Sequence, residues 1–166
     1  MRRIIQTLKH TAPWLLILFM APALSHESAT GIVKKRMDSM ESMKEETKLL
    51  TDMAKGKRPL DPLQIQRSAA KIHELSQHIA MQFPEDSLHR PTNALPAIWQ
   101  HWQRFEDYSV ELSNEADLLK QLAKQKNVKE SRGQIIKLGK VCVACHKDFR
   151  EKRKTMPSRL TLTKAH

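Results

Sequence analysis

The chain has 166 residues, 40% of them apolar, four glycines, and a formal net charge of +11. That length suits one domain with a sizeable core, and so few glycines suit a helical one. Two cysteines are too few for a four-thiolate zinc site.

Residues 1–25 separate from the rest. Met1, Arg2, Arg3 and Lys9 give a positive start, Trp14 to Met20 a short apolar run, and Ala23, Leu24 and Ser25 a small-residue cleavage site before His26. This is the pattern of a secretory signal peptide, so the mature chain is expected in the periplasm. The apolar run is short for a bilayer span, which favours cleavage over a retained anchor and leaves no stable membrane insertion. With the leader go three cations and no acid, which takes the formal charge from +11 to +8. Such a surface can steer acidic partners, although a merely solubilising charge reads the same way. No nucleic-acid partner is expected.

From 30 to 53 there is no proline, and Val33, Met37, Met40, Met43, Leu49 and Leu50 recur at helical spacing. Lys55-Gly56-Lys57-Arg58-Pro59 ends this first helix. Asp61 is an N-cap candidate with Pro62 at the first helical position, opening a second helix through Ile65, Ala69, Ile72, Leu75 and Ile79 that Phe83-Pro84 closes. The proline-rich segment to Pro96 is a long connection, of a length usual where two helices are not adjacent hairpin partners. A third helix over 97–124 carries Ile98, Trp102, Phe105, Ser109, Leu112, Ala116 and Leu119 on one face, a bundle-core pattern. A fourth, over 129–152, has Ile135, Leu138, Cys142, Cys145 and Phe149 on its inner side. Residues 153–166 lack a stripe and read as a basic, mobile tail. The expected fold is all-α, an antiparallel four-helix bundle over 26–152.

Cys142-Val143-Ala144-Cys145-His146 near the end of the fourth helix is the chemical signature of the chain. Two thiols one helical turn apart can each add to a vinyl group of one porphyrin, and the adjacent imidazole can reach the iron as proximal ligand. A disulfide of the thioredoxin type would want strand–helix alternation that is absent here, so covalent haem c is the expected cofactor. With aromatics at only 5%, a large flat group would supply core volume that the side chains lack.

These features together resemble the class II cytochromes c, the cytochrome c prime family and its low-spin relatives, over about residues 30–152. The likeness rests on Cys142 to His146 followed by Lys147, Asp148, Phe149 and Arg150, on Arg36 with Met40 four residues later, and on Leu95-Pro96-Ala97-Ile98-Trp99. In cytochrome c prime proper, the resemblance implies, a bulky side chain at the place of Met40 leaves the iron five-coordinate and open to nitric oxide or carbon monoxide. In the low-spin relatives a methionine there supplies its sulfur, and the regions of Trp99 and of Phe149-Arg150 look more like that branch. Met40 is accordingly the expected distal ligand, chosen over Met37 and Met43 for its spacing from Arg36; core filling by all three remains open. Arg36 is a candidate contact for a haem propionate, since a guanidinium can bind a carboxylate with two parallel hydrogen bonds. His73, His78 and His101 fall off the apolar stripes of their helices, so bis-histidine ligation is a reserve.

The function expected is a one-electron carrier serving redox protein partners, acidic ones by charge. The alternative is a five-coordinate protein that binds nitric oxide or carbon monoxide. No nucleophile–base grouping, phosphate loop or paired acids suggest an enzyme. Family members pair through their first two helices, and the methionines of the first helix suit either such a homodimer or one bundle's own core.

Overall fold

Apolar residues three and four apart need a common face to bury. In the computed structural model, which describes residues 29–152, six helical elements supply it: α1 (Gly31–Ala54), α2 (Pro62–Ser76), a 3₁₀ turn (Ala80–Gln82), α3 (Ala97–Gln100), α4 (Trp102–Lys124) and α5 (Val128–Phe149). The expected signal peptide at 1–25 and basic tail at 153–166 lie outside the described residues. The helix ends follow local chemistry. Asp61 accepts from the amides of Leu63 (2.9 Å) and Gln64 (3.3 Å) with Pro62 at the first position of α2. At the end of α1, Gly56 takes φ +72°, its amide reaching the Met53 carbonyl and that of Lys57 the Asp52 carbonyl. The end of α4 uses the same closure without a glycine: Lys126 sits at φ +56°, its amide on Ala123 and that of Asn127 on Leu122.

The four long helices run up, down, up and down. Glu46 accepts from Ser68 (2.6 Å) and Ser39 from Gln82 (3.0 Å), so α1 and α2 are antiparallel. His73 meets Ser113 while Phe83 meets Phe105, which makes α2 and α4 antiparallel. Tyr108 meets Asp148 while Glu115 meets Gln134, which does the same for α4 and α5. At the centre Leu50, Ile65, Ile72, Ile98, Leu119 and Leu138 are almost wholly withdrawn from water. Each contributes about 1.5–3 kcal/mol by burial.

Four expectations need correction. The second helix stops at Ser76; Ile79 is still buried, but on a turn that leads into 3₁₀ geometry. The third helix is broken at His101 (φ −131°, ψ 47°), although Ile98, Trp102 and Phe105 keep helical spacing across the break, and the fourth ends at Phe149. Most consequential, α2 and α4 are not separated by their long connection but are the most extensively packed pair. The connection is long for another reason: it crosses the end of the bundle. It is held to α1 where Arg36 donates to the Ser87 carbonyl (2.7 Å), and to α5 where Leu95 donates to Phe149 (3.0 Å) and Glu151 to Asn93 (2.8 Å) around an antiparallel Ala94–Arg150 bridge.

Two turn residues that are not glycine take the left-handed region, Asp86 (φ +60°) and Lys126; aspartate visits it readily, whereas a lysine there costs about 1 kcal/mol that glycine does not. Lys126→Gly is expected to stabilise the holoprotein by about 0.5–1 kcal/mol in guanidinium unfolding followed by circular dichroism; a loss of stability would contradict this account of the α4 closure.

Candidate functional site

The Cys142–His146 segment lies in the last two turns of α5, and the register of the bundle decides what faces it. Arg132 of α5 donates to the Ala54 carbonyl at the end of α1 (2.7 Å). Met40 lies as far before Ala54 as His146 lies beyond Arg132, and both helices rise equally per residue, so the two side chains stand at the same height in antiparallel neighbours. Of the three methionines, Met37 is 42% exposed and Met43 only 7%, fully in the core. Met40 is intermediate and packs against the core cluster, as Cys142 and Cys145 do.

Every aromatic residue of the described chain gathers at this same end. Phe105 stands edge-on to Phe83 (4.8 Å between centroids) and to Phe149 (5.3 Å), with Trp102 at 5.8 Å. Tyr108 packs on Phe149 (6.2 Å), and the Trp99 indole donates to the Phe83 carbonyl (3.0 Å). The sparse aromatic content is thus concentrated beside the cysteines, where a flat ring system would find edges and faces.

Both thiols are unpaired. Burial pushes each of them up, Cys145 to about 12 with the charges of Cys142 and Asp148 adding to the shift. A setting this hostile to thiolate suits the uncharged thioethers that covalent attachment would leave. His146 is the most open of the three. Partial burial of its ring, then the Arg150 cation, hold its pKa below the ordinary imidazole value and keep the neutral, metal-binding form.

Arg36 is the strongest sign that a further group belongs here. It is 3% exposed, with its guanidinium 4.2 Å above the Phe83 ring and one bond to the Ser87 carbonyl. Its Nε and Nη1 have no partner, and neither has Gln82 Oε1 nearby in the chain fold. Desolvation lowers its pKa, yet a guanidinium does not give up its proton in a protein. A buried cation facing only a neutral carbonyl costs several kcal/mol, and an anion brought by a ligand would relieve it. The carboxylates of haem have that chemistry, so the donor set fits the group the cysteine motif calls for.

The histidines separate. His73 is engaged between α2 and α4, with Nδ1 3.0 Å from both the carbonyl and the hydroxyl oxygen of Ser113, while His78 and His101 are exposed. Sequence reasoning did not find the clasp at the end of α5, where Asp148 accepts from Tyr108 (2.9 Å) and from Arg104 (2.8 Å). Nor did it find Gln82, Phe83 and Ser87 around Arg36. These contacts join residues about 40 and 50 positions apart and leave no local pattern.

A four-helix bundle with a haem-attachment motif at the end of its last helix defines a class of c-type haem proteins. Residues 31–150 match the family model described as Cytochrome C'. The chain is 32% identical over 128 residues to a cytochrome c' of Rhodopseudomonas palustris, covering 75% of this chain and 84% of that protein. It is 28% identical over 126 residues to a cytochrome c-556 of Agrobacterium fabrum, again 75% and 84%. The solved structure of cytochrome c' from Rhodopseudomonas palustris superposes with a TM-score of 0.67 at 30% identity, covering 76% of this chain and all of that one. The chain belongs to the cytochrome c' family and is a c-type haem protein.

The clasp yields a test of how α5 is fixed. Tyr108→Phe removes one hydrogen bond to a carboxylate and is expected to lower holoprotein stability by about 1 kcal/mol. An unchanged denaturation midpoint would mean that Arg104 and solvent satisfy Asp148 unaided.

Proposed function

We propose that the protein carries single electrons on haem c in the periplasm, and that His146 and Met40 are the residues that would hold its iron. The equal height of Met40 and His146 on antiparallel helices supports this reading. Haem, when bound, would supply a one-electron couple between ferrous and ferric iron. Cys142 and Cys145 would hold it as thioethers. His146 would offer a ring lone pair to the iron and Met40 a soft, uncharged thioether that favours the ferrous state. Arg36 would pair a propionate through an N–H that is otherwise unpartnered. Because both ligands stand on long packed helices, oxidation state can change with little movement of the chain.

One observation favours a second reading. The family matched, and the relative at 32% identity, carry the name cytochrome c'. The resemblance implies an open iron face there, with Met40 crowding it rather than bonding. On that reading the protein takes up nitric oxide or carbon monoxide.

The optical spectrum separates the two. With Met40 bound, the ferric protein is low spin and the ferrous protein takes up carbon monoxide slowly; Met40→Ala turns the ferric iron high spin and lowers its potential. A high-spin ferric spectrum in the unmutated protein, with rapid carbon monoxide uptake, would reject methionine ligation and favour gas binding. The role of Arg36 has its own test. Arg36→Met keeps the volume and removes the cation, so the holoprotein is expected to lose about 3 kcal/mol if a carboxylate is paired there. Neutral or improved stability would show that no anion is held.

A further inference from the structure

We propose that the outward ridge of α5 is a docking surface for an acidic redox protein, an inference that rests on the electron-carrier reading. Lys129, Arg132, Ile136, Lys140, Val143 and Lys147 follow one another at intervals of three and four along α5, and so form a single stripe on its solvent side. Ile136 is 53% exposed and Val143 69%, so both apolar side chains lie open to solvent. Neither helps the core. Val143 stands between Cys142 and Cys145, so the stripe runs directly over the attachment turn.

The charge on this ridge is unlike that elsewhere in the bundle. On α1, α2 and α4 five of the seven lysines are neutralised along their own helix, in Lys34–Asp38, Lys44–Glu41, Lys48–Asp52, Lys71–Glu74 and Lys120–Asp117. Between Glu130 and Asp148, by contrast, α5 contains no acid. Among the described residues, Lys129, Arg132, Lys140 and Lys147 enter no ion pair, and Arg132 spends one N–H on the Ala54 carbonyl. On one flank Glu111 and Glu115 of α4 line a groove with Lys137 and Lys140, and Glu115 accepts from Gln134. These acids bound the ridge there and would turn an acidic partner toward the other flank.

Two aliphatic knobs interleaved with unneutralised cations have the make-up of a small, transient interface: a dry centre for contact and a charged rim for steering. A second copy of this chain would meet like charge. A lipid surface would want a broader apolar face with aromatic anchors, and the ridge has neither.

The test is voltammetry of the holoprotein on gold coated with carboxylate-terminated or amine-terminated alkanethiols. The proposal expects rapid exchange on the carboxylate surface that weakens with ionic strength, and poor exchange on the amine surface. Reversing charge with Lys140→Glu and Lys147→Glu should slow exchange on carboxylate about tenfold or more at matched overpotential. Val143→Asp should act in the same direction, while Lys55→Glu with Lys124→Glu, at the other end of the bundle, should leave the rate unchanged. Each variant is first checked for an unaltered haem spectrum. Exchange that is fast on both surfaces and indifferent to the ridge would overturn the docking proposal and leave the carrier function standing. Failure to exchange electrons with either surface or with hexaammineruthenium would remove the carrier function itself. Ridge-dependent sedimentation with phosphatidylglycerol vesicles, with no ridge effect at the electrode, would overturn the proposal in favour of a membrane surface.

Discussion

An arginine in a nearly dry place, with no acid to meet it, constrains this end of the molecule more than any other contact. Arg36 rests on the Phe83 ring, ties down the Ser87 carbonyl and leaves two nitrogens idle. Such a cation is tolerable only if negative charge arrives from elsewhere. The chain around it is arranged accordingly: the aromatic group, the two half-buried thiols and the half-buried Met40 all lie at the same end. The other end is closed by ordinary helix caps at Gly56 and Lys126 and by aliphatic packing.

The bundle's register turns separate sequence features into one site. Four helices at regular pitch would bury their stripes in several vertical alignments, but the Arg132–Ala54 and Tyr108–Asp148 contacts fix one. In that alignment the only methionine of α1 that is neither in water nor deep in the core faces the level of His146. Membership of the cytochrome c' family agrees with the fold and the cofactor.

Much of this was legible in the sequence because the physics is local. Two cysteines and a histidine at that spacing state their chemistry outright, and the apolar periods at Val33 to Leu50 and Ile98 to Leu119 state theirs. Elsewhere the relevant physics is not local. Ile98, Trp102 and Phe105 keep helical spacing through His101, so nothing in the pattern marks the break in backbone there. Arg36 follows Lys34 and Lys35, so nothing local separates a propionate contact from a third solvated cation; its burial depends on Phe83 and Ser87, which another part of the chain delivers. Loop length was misleading for the same reason. It signalled distance between α2 and α4, whereas the extra residues are used to cross the end of the bundle.

That crossing segment closes its end of the bundle with the residues that directly follow the attachment turn. Its pairing partners, Phe149, Arg150 and Glu151, come within six residues of Cys145. A displacement of the last turn of α5 is therefore handed straight to the span around Asn93 and Leu95, which makes that span the natural reporter of whether the two thiols carry a guest.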